Sequence, residues 1–237
     1  MPSEIILSVC RDVRRMPLIG HTSRKDKSAE ALRKTVMAQG RFGRRCYYCD
    51  FSFGSSDDYE LSHLDGDHTN TAVDNVVPSC ELCHCALHLD LLSRKWPGAL
   101  GKIIFLPELS QAELNNLLQA VFFAMAMQVA DEKGSVGSSG IHPHTIYIRL
   151  QDRARQLEQN DMGEDIRPNL SNPFVFGRVL IDMKDDEYEK RADLLAGCRY
   201  LPAAEYFIDR AKTWNANGAA FSALDFAAWK GIAGLTE

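Results

Sequence analysis

No apolar run in this chain of 237 residues is long enough to cross a bilayer. The most apolar stretch, Leu117 to Ala130, has 14 residues, against the roughly 20 that a spanning helix needs. It reads as a buried helix. The opening residues, MPSEIILSVCRDVRR, carry no basic leader ahead of their short apolar stretch. No secretory signal is therefore expected, and the chain is expected in the cytoplasm. No repeat period is present. An excess of positive charge is also missing: the net charge is −5, whereas a duplex-binding module gathers positive charge around its site. Nor is there an even complement of cysteines, since the seven present cannot all pair.

What is there has the balance of a folded protein. Hydrophobic residues make up 45% and charged residues 25%, so disorder is a poor global description. The length fits one or two domains. Charge is distributed unevenly. Arg11 to Arg45 holds eleven Lys/Arg and three Asp/Glu, a net of +8, whereas Cys46 to Trp96 holds two and nine, a net of −7. The basic arm is either a solvated leader or a nucleic-acid contact.

Local signals divide the chain into four stretches. Residues 1–40 form the basic leader, loosely ordered to residue 27, and end in a helix over Ser28 to Gln39 that Gly40 stops. Residues 41–130 hold a compact module and a following helix. In the module, a hairpin is expected over Arg41 to Phe53 and a strand over Tyr59 to His63. A turn at Asp65-Gly66-Asp67, a return over Val73 to Val77 and one helix over Glu81 to Leu92 complete it. Lys102 to Leu106 is a strand candidate. Ser110-x-x-Glu113 then forms a capping box ahead of Leu114, Leu117, Leu118, Val121 and Phe122 at helical spacing. That face is core or a partner surface. Residues 131–145 read as a loop or linker, whose His142 and His144 are solvated or touch metal. Residues 146–237 look helical, with Asn172-Pro173 as an N-cap followed by proline. Further helices are expected over Asp185 to Ala196, ending at Gly197, and over Ala203 to Trp214. The fold class is α+β: a small ββα module with a mainly helical C-terminal half.

Chemistry concentrates in two CxxC pairs, Cys46-Tyr-Tyr-Cys49 and Cys80-Glu-Leu-Cys83, with 30 residues between them. Each pair can set two thiolates on one tight knuckle. Two knuckles make the tetrahedral four-sulfur shell that Zn²⁺ favours, and a chain without an export signal is more often metal-bound than disulfide-bonded. The alternative is four buried free thiols. Cys85 is a substitute ligand; Cys10 and Cys198 have no evident partner.

Between and after the knuckles lie Ser62-His63-Leu-Asp-Gly-Asp-His, Asn75 and His84-Cys-Ala-Leu-His88. With the CxxC pairs, over residues 41–92, they resemble the HNH endonuclease family, whose fold is a ββα-metal unit. The resemblance implies that His63 matches the general base, Asn75 the orienting asparagine and His84 the histidine that follows the second CxxC. His88 lies four residues on, and some relatives use such a pair as ligands. One departure bears on activity. Where that family has a metal-binding Asp or His, this chain has Ser62, and a hydroxyl is a poor ligand beside a carboxylate or imidazole. No catalytic residue is therefore expected; His63, Asn75, His84 and His88 read as remnants.

Two further blocks, Ile103 to Ala126 and SNPFVFGRVLIDM at Ser171 to Met183, together with the degenerate module resemble the DotN (IcmJ) family of Dot/Icm type IVB secretion systems. That resemblance implies a non-catalytic, structurally zinc-bound subunit of a type IV coupling complex. It implies binding to a segment of a DotL-like coupling ATPase and to other coupling-complex proteins, and a part in substrate recruitment. The place implied is the cytoplasmic side of the inner membrane, reached through partners without membrane insertion. Two competing readings remain. One is a metal-dependent HNH DNA endonuclease. The other is a sequence-independent nucleic-acid binder that uses the basic arm.

Overall fold

The computed structural model describes residues 4–12, 27–54, 59–130, 142–158, 169–215 and 219–222. The first element is helix α1, Lys27–Ala38, and Gly40 just beyond it takes a positive φ of 65°. The chain then turns tightly through the first CxxC. Cys46 N donates to Phe51 O and Phe53 N to Arg44 O, which closes the expected hairpin around the knuckle. Strands β1, Glu60–His63, and β2, Val76–Ser79, pair antiparallel with His63 opposite Val76 and Glu60 opposite Ser79. Helix α2, Glu81–Leu87, follows at once. The order strand, strand, helix is a ββα arrangement.

The second half is built around helix α4, Gln111–Ala130. The expected capping box starts it: Glu113 N donates to Ser110 Oγ at 3.2 Å, and Ser110 N donates to Glu113 Oε2 at 2.8 Å. Leu114, Leu118, Phe122 and Met125, at i, i+4, i+8 and i+11, are fully buried. Phe122 stacks on Phe207, ring centroids 5.7 Å apart, and lies 5.9 Å from Tyr147. These contacts bring in helix α5, Pro143–Asp152, and helix α9, Ala204–Ala211. Between α4 and α9 lie helices α6, Pro173–Asp182, α7, Asp185–Glu189, and α8, Arg191–Leu194. Asn172 Oδ1 accepts from Phe174 N at 2.9 Å, the cap that Asn172-Pro173 announces. Buried side chains from Ile5 to Ala211 form one cluster. The architecture is α+β and mostly helical.

Four features depart from the sequence reading. First, strand β4, Cys198–Leu201, pairs with strand β3, Lys102–Phe105, Cys198 opposite Phe105 and Leu201 opposite Lys102. The C-terminal half is thus helical with one strand. Glycine marks both ends of this ribbon. A Cβ on Gly101 would sit 1.9 Å from Leu201 O, and Gly197 has φ +84° against the Phe105 ring. Second, the expected helix over Glu81 to Leu92 breaks at His88, whose φ/ψ is −136°/60°. A 3₁₀ turn, Leu89–Leu91, and helix α3, Leu92–Lys95, complete it. The cause is the N-terminal segment. Ser8 N donates to Ala86 O, Leu89 N donates to Ser8 O, and Cys10 N donates to Asp90 Oδ1 at 3.1 Å. These bonds replace the helical ladder where the break falls.

Third, part of the stretch read as loosely ordered is fixed. In residues 4–12 Ile5, Leu7 and Val9 are buried in alternation with more exposed neighbours, the period of two proper to a strand-like segment. Fourth, the helix expected over Asp185 to Ala196 divides at Lys190 into α7 and α8. Most of the expected linker, residues 131–141, lies outside the described residues. His142 caps α5 and His144 sits in its first turn, rings stacked 5.3 Å apart.

Candidate metal centre

The four cysteines singled out by spacing are brought together from two separate turns. Cys46 and Cys49 flank a turn whose next residue, Asp50, is left-handed at φ 61°, a conformation that Asp tolerates better than most side chains. Asp50 N donates to Cys46 O, and Tyr47 N donates to Pro78 O, which pins the knuckle to β2. Cys80 caps α2 and Cys83 follows in its first turn. All four are buried, and their Sγ atoms lie within 4.8 Å of one another. Cys49 Sγ is 3.6 Å from Cys80 Sγ. A disulfide would need about 2.05 Å, whereas the edge of a tetrahedron with Zn–S bonds of about 2.3 Å is about 3.8 Å. The donor set and the spacing therefore fit a divalent, thiophilic ion. Cys85 is buried but lies outside the group.

Charge points the same way. Burial raises the thiol pKa of Cys80 and Cys83. Burial also opposes ionisation of Cys46, yet hydrogen bonds from Cys49, Cys80 and Cys83 take it below its usual value. Hydrogen bonding within the group thus favours the thiolate form at Cys46. A bound cation would hold all four as thiolates.

Helix α4 contributes a feature that the sequence reading missed. Gln111, Asn115 and Gln119, spaced by four, are buried on one face. Asn115 Nδ2 donates to Cys83 Sγ at 3.2 Å; Gln119 Nε2 reaches Cys49 Sγ at 3.5 Å and Cys80 Sγ at 3.7 Å. Gln111 Nε2 donates to Asn115 Oδ1 at 2.9 Å, and Gln111 is clamped by the backbone of Tyr200 in β4 through both amide atoms. N–H donors aimed at sulfur spread the charge of a four-thiolate site. Amides recurring at i, i+4 and i+8 beside the apolar face of the helix were the signal.

The residues matched to the HNH pattern gather in a second place, joined by one more histidine. The rings of His63 and His68 stack 4.8 Å apart, His68 and His88 are 4.8 Å apart, and His84 and His88 4.6 Å. All four are buried. His88 is the cap of α2 and not part of the helix, so the expected shared face is achieved across the break. Ser62 Oγ lies 2.8 Å from Ser79 Oγ and 3.0 Å from His84 Nδ1, and His84 packs edge-on against Trp96. Ser62 and His84 are thereby engaged with each other. Asn75 braces the turn: Asn75 Oδ1 accepts from Asp65 N at 3.0 Å, and Asn75 Nδ2 donates to Asp65 Oδ1 at 2.9 Å and to Asn70 O at 3.0 Å. His63 and His88 border a cavity of about 990 Å³, which Ser62 and the N-terminal segment also line. Burial lowers the His63 pKa from its ordinary 6.5, against the pull of Asp65 and Asp67.

Comparison with known proteins gives one informative match. DotN of Legionella pneumophila, a type 4 apparatus protein, is 28% identical over 198 residues, 83% of this chain and 84% of that protein. The chain is a homologue of DotN. No protein-family model matches it. The aligned length takes in more than the cysteine-bearing module, so likeness to DotN extends into the helical half. Among the described residues of this DotN homologue, no helix is long and apolar enough to cross a membrane.

Proposed function

We propose that this chain is a zinc-bound, non-catalytic subunit of a type IV secretion apparatus, one that holds a segment of the coupling ATPase and helps to recruit substrates at the inner membrane. The single observation that carries the reading is the DotN homology along most of both chains. The buried four-cysteine group supports the metal. Cys46, Cys49, Cys80 and Cys83 would hold Zn²⁺, and the ion would supply cross-linking of two turns that lie 30 residues apart in sequence.

The interior of the ββα unit also favours a scaffold over a nuclease. In the resemblance to HNH enzymes Ser62 stands where those enzymes have a ligand, and its hydroxyl is engaged with Ser79 and His84. Around the cavity beside His63, acidic Glu4, Asp12, Asp65, Asp185 and Glu189 outnumber Arg11 and Arg191. Both arginines lie over the Tyr188 ring, and Arg11 also pairs with Asp185. A phosphodiester backbone entering there would meet net negative charge.

The test is co-purification of the full chain with the coupling ATPase of the same apparatus, run beside a plasmid-nicking assay with Mg²⁺ and Mn²⁺. The expected result is a stable complex and intact plasmid. Nicking that disappears in His63→Ala, with no association, overturns the proposal in favour of the nuclease.

A further inference from the structure

Six large apolar side chains among the described residues are more than a third exposed, and three of them, Phe174 and Val179 in α6 and Leu194 in α8, lie on one face. Scattered exposed apolar residues are ordinary; a contiguous group marks a contact surface. Phe174, Val175, Val179, Met183, Leu194 and Leu195 line a single groove of about 800 Å³. The groove does not arise from a badly packed helix. The opposite face of α6 is fully used, with Phe176 and Leu180 buried and Gly177 set against Val9 and Leu89. A helix apolar on both faces is covered on both.

We propose that this groove docks a basic amphipathic helix supplied by a partner protein. Its walls are helices, so their backbone groups are already bonded along the helices and an added strand would find no ladder to join; side chains are what the groove can grip. Charge fixes the kind of helix. Asp182 and Glu187 stand on the rim. Arg178, the basic residue there, is paired with Asp182 at 2.7 Å. In the same stretch Asp186 and Asp193 are exposed. Apolar anchors at i, i+4 and i+7 with lysines or arginines beside them match this surface, while an acidic helix with the same anchors meets like charge. The inference deepens the assembly reading and rests on it only for which protein supplies the helix.

The probes are two synthetic helical peptides of about 15 residues, near 22 Å in length, with identical leucine anchors. One carries lysine and the other glutamate at the remaining sites. Titrated against the full chain, the lysine peptide should bind about tenfold or more tightly than its twin. Leu194→Glu and Phe174→Ser should abolish that binding with metal content and melting temperature unchanged, and Asp186→Lys with Asp193→Lys should reverse the charge preference. Equal binding of the twins, no binding of either, or binding indifferent to Leu194→Glu overturns the proposal. So does a wild-type dimer that Leu194→Glu dissolves, since the occupant would then be a second copy. A coupling ATPase that binds wild type and Leu194→Glu alike overturns the groove as its contact and leaves the assembly reading standing. Capture of the lysine peptide with no ATPase binding does the reverse.

Discussion

Cys80 is the N-cap residue of α2 through its backbone, whose carbonyl accepts from His84 N. Its Sγ sits 3.6 Å from Cys49 Sγ, so its loss would remove one of the four proposed ligands and leave three thiols buried together. Structural zinc contributes on the order of 10 kcal/mol to the folding of a small site. Cys80→Ser should therefore give metal-free, poorly soluble protein by elemental analysis. Asn115 sits one layer out. Asn115→Leu keeps the volume and removes the N–H aimed at Cys83, and zinc transfer to a chromogenic chelator should then run roughly 10–100-fold faster. Unchanged kinetics would show that the amides of α4 are only packing. The cysteines were legible because metal chemistry dictates their spacing. Gln111, Asn115 and Gln119 were not read, because buried amides carry no motif and show their purpose only when a second element faces them.

At the scale of elements, the histidine cluster links β1, the turn after it and the end of α2. His63 is buried with a lowered pKa, so the folded state prefers its neutral form. Unfolded, the same imidazole titrates near 6.5. Between that pH and the lower folded value the unfolded chain binds more protons, so stability falls as pH drops below about 6.5. Denaturant unfolding of the zinc-loaded chain should show this slope, and His63→Gln should flatten it; an identical slope in the variant would assign the effect elsewhere. The capping box of α4 offers a simpler check. Ser110→Ala should cost about 1 kcal/mol in the same unfolding experiment. Local signals announced α1, β1, β3, α4 and α6, because caps, turns and periodicity act within a few residues. The break at His88 and strand β4 escaped. The first depends on Ser8, about eighty residues earlier, and the second on pairing with Lys102–Phe105, which no local pattern in Cys198–Leu201 declares.

Across the whole molecule, the four-cysteine module and the helical half are held together by more than chain connectivity. Tyr206 donates to Glu81 at 2.7 Å, Arg210 pairs with the same carboxylate at 3.0 Å, and the Trp214 ring lies 5.2 Å from Phe51. Metal loss at the knuckles should accordingly loosen α9, and hydrogen exchange of α9 should quicken in chelator-treated protein while exposed α6 changes less. The aromatics of the helical half divide between roles: Phe122, Phe123, Phe176 and Phe207 are core, Tyr206 and Trp214 line a cavity of about 470 Å³, and Phe174 is exposed. Native mass spectrometry of the full chain co-expressed with the coupling ATPase of the proposed type IV apparatus tests assembly and zinc together. The expected result is a complex in which each copy of the chain carries one zinc ion. A folded chain without metal, or a zinc-loaded chain that stays alone beside the ATPase, would contradict it.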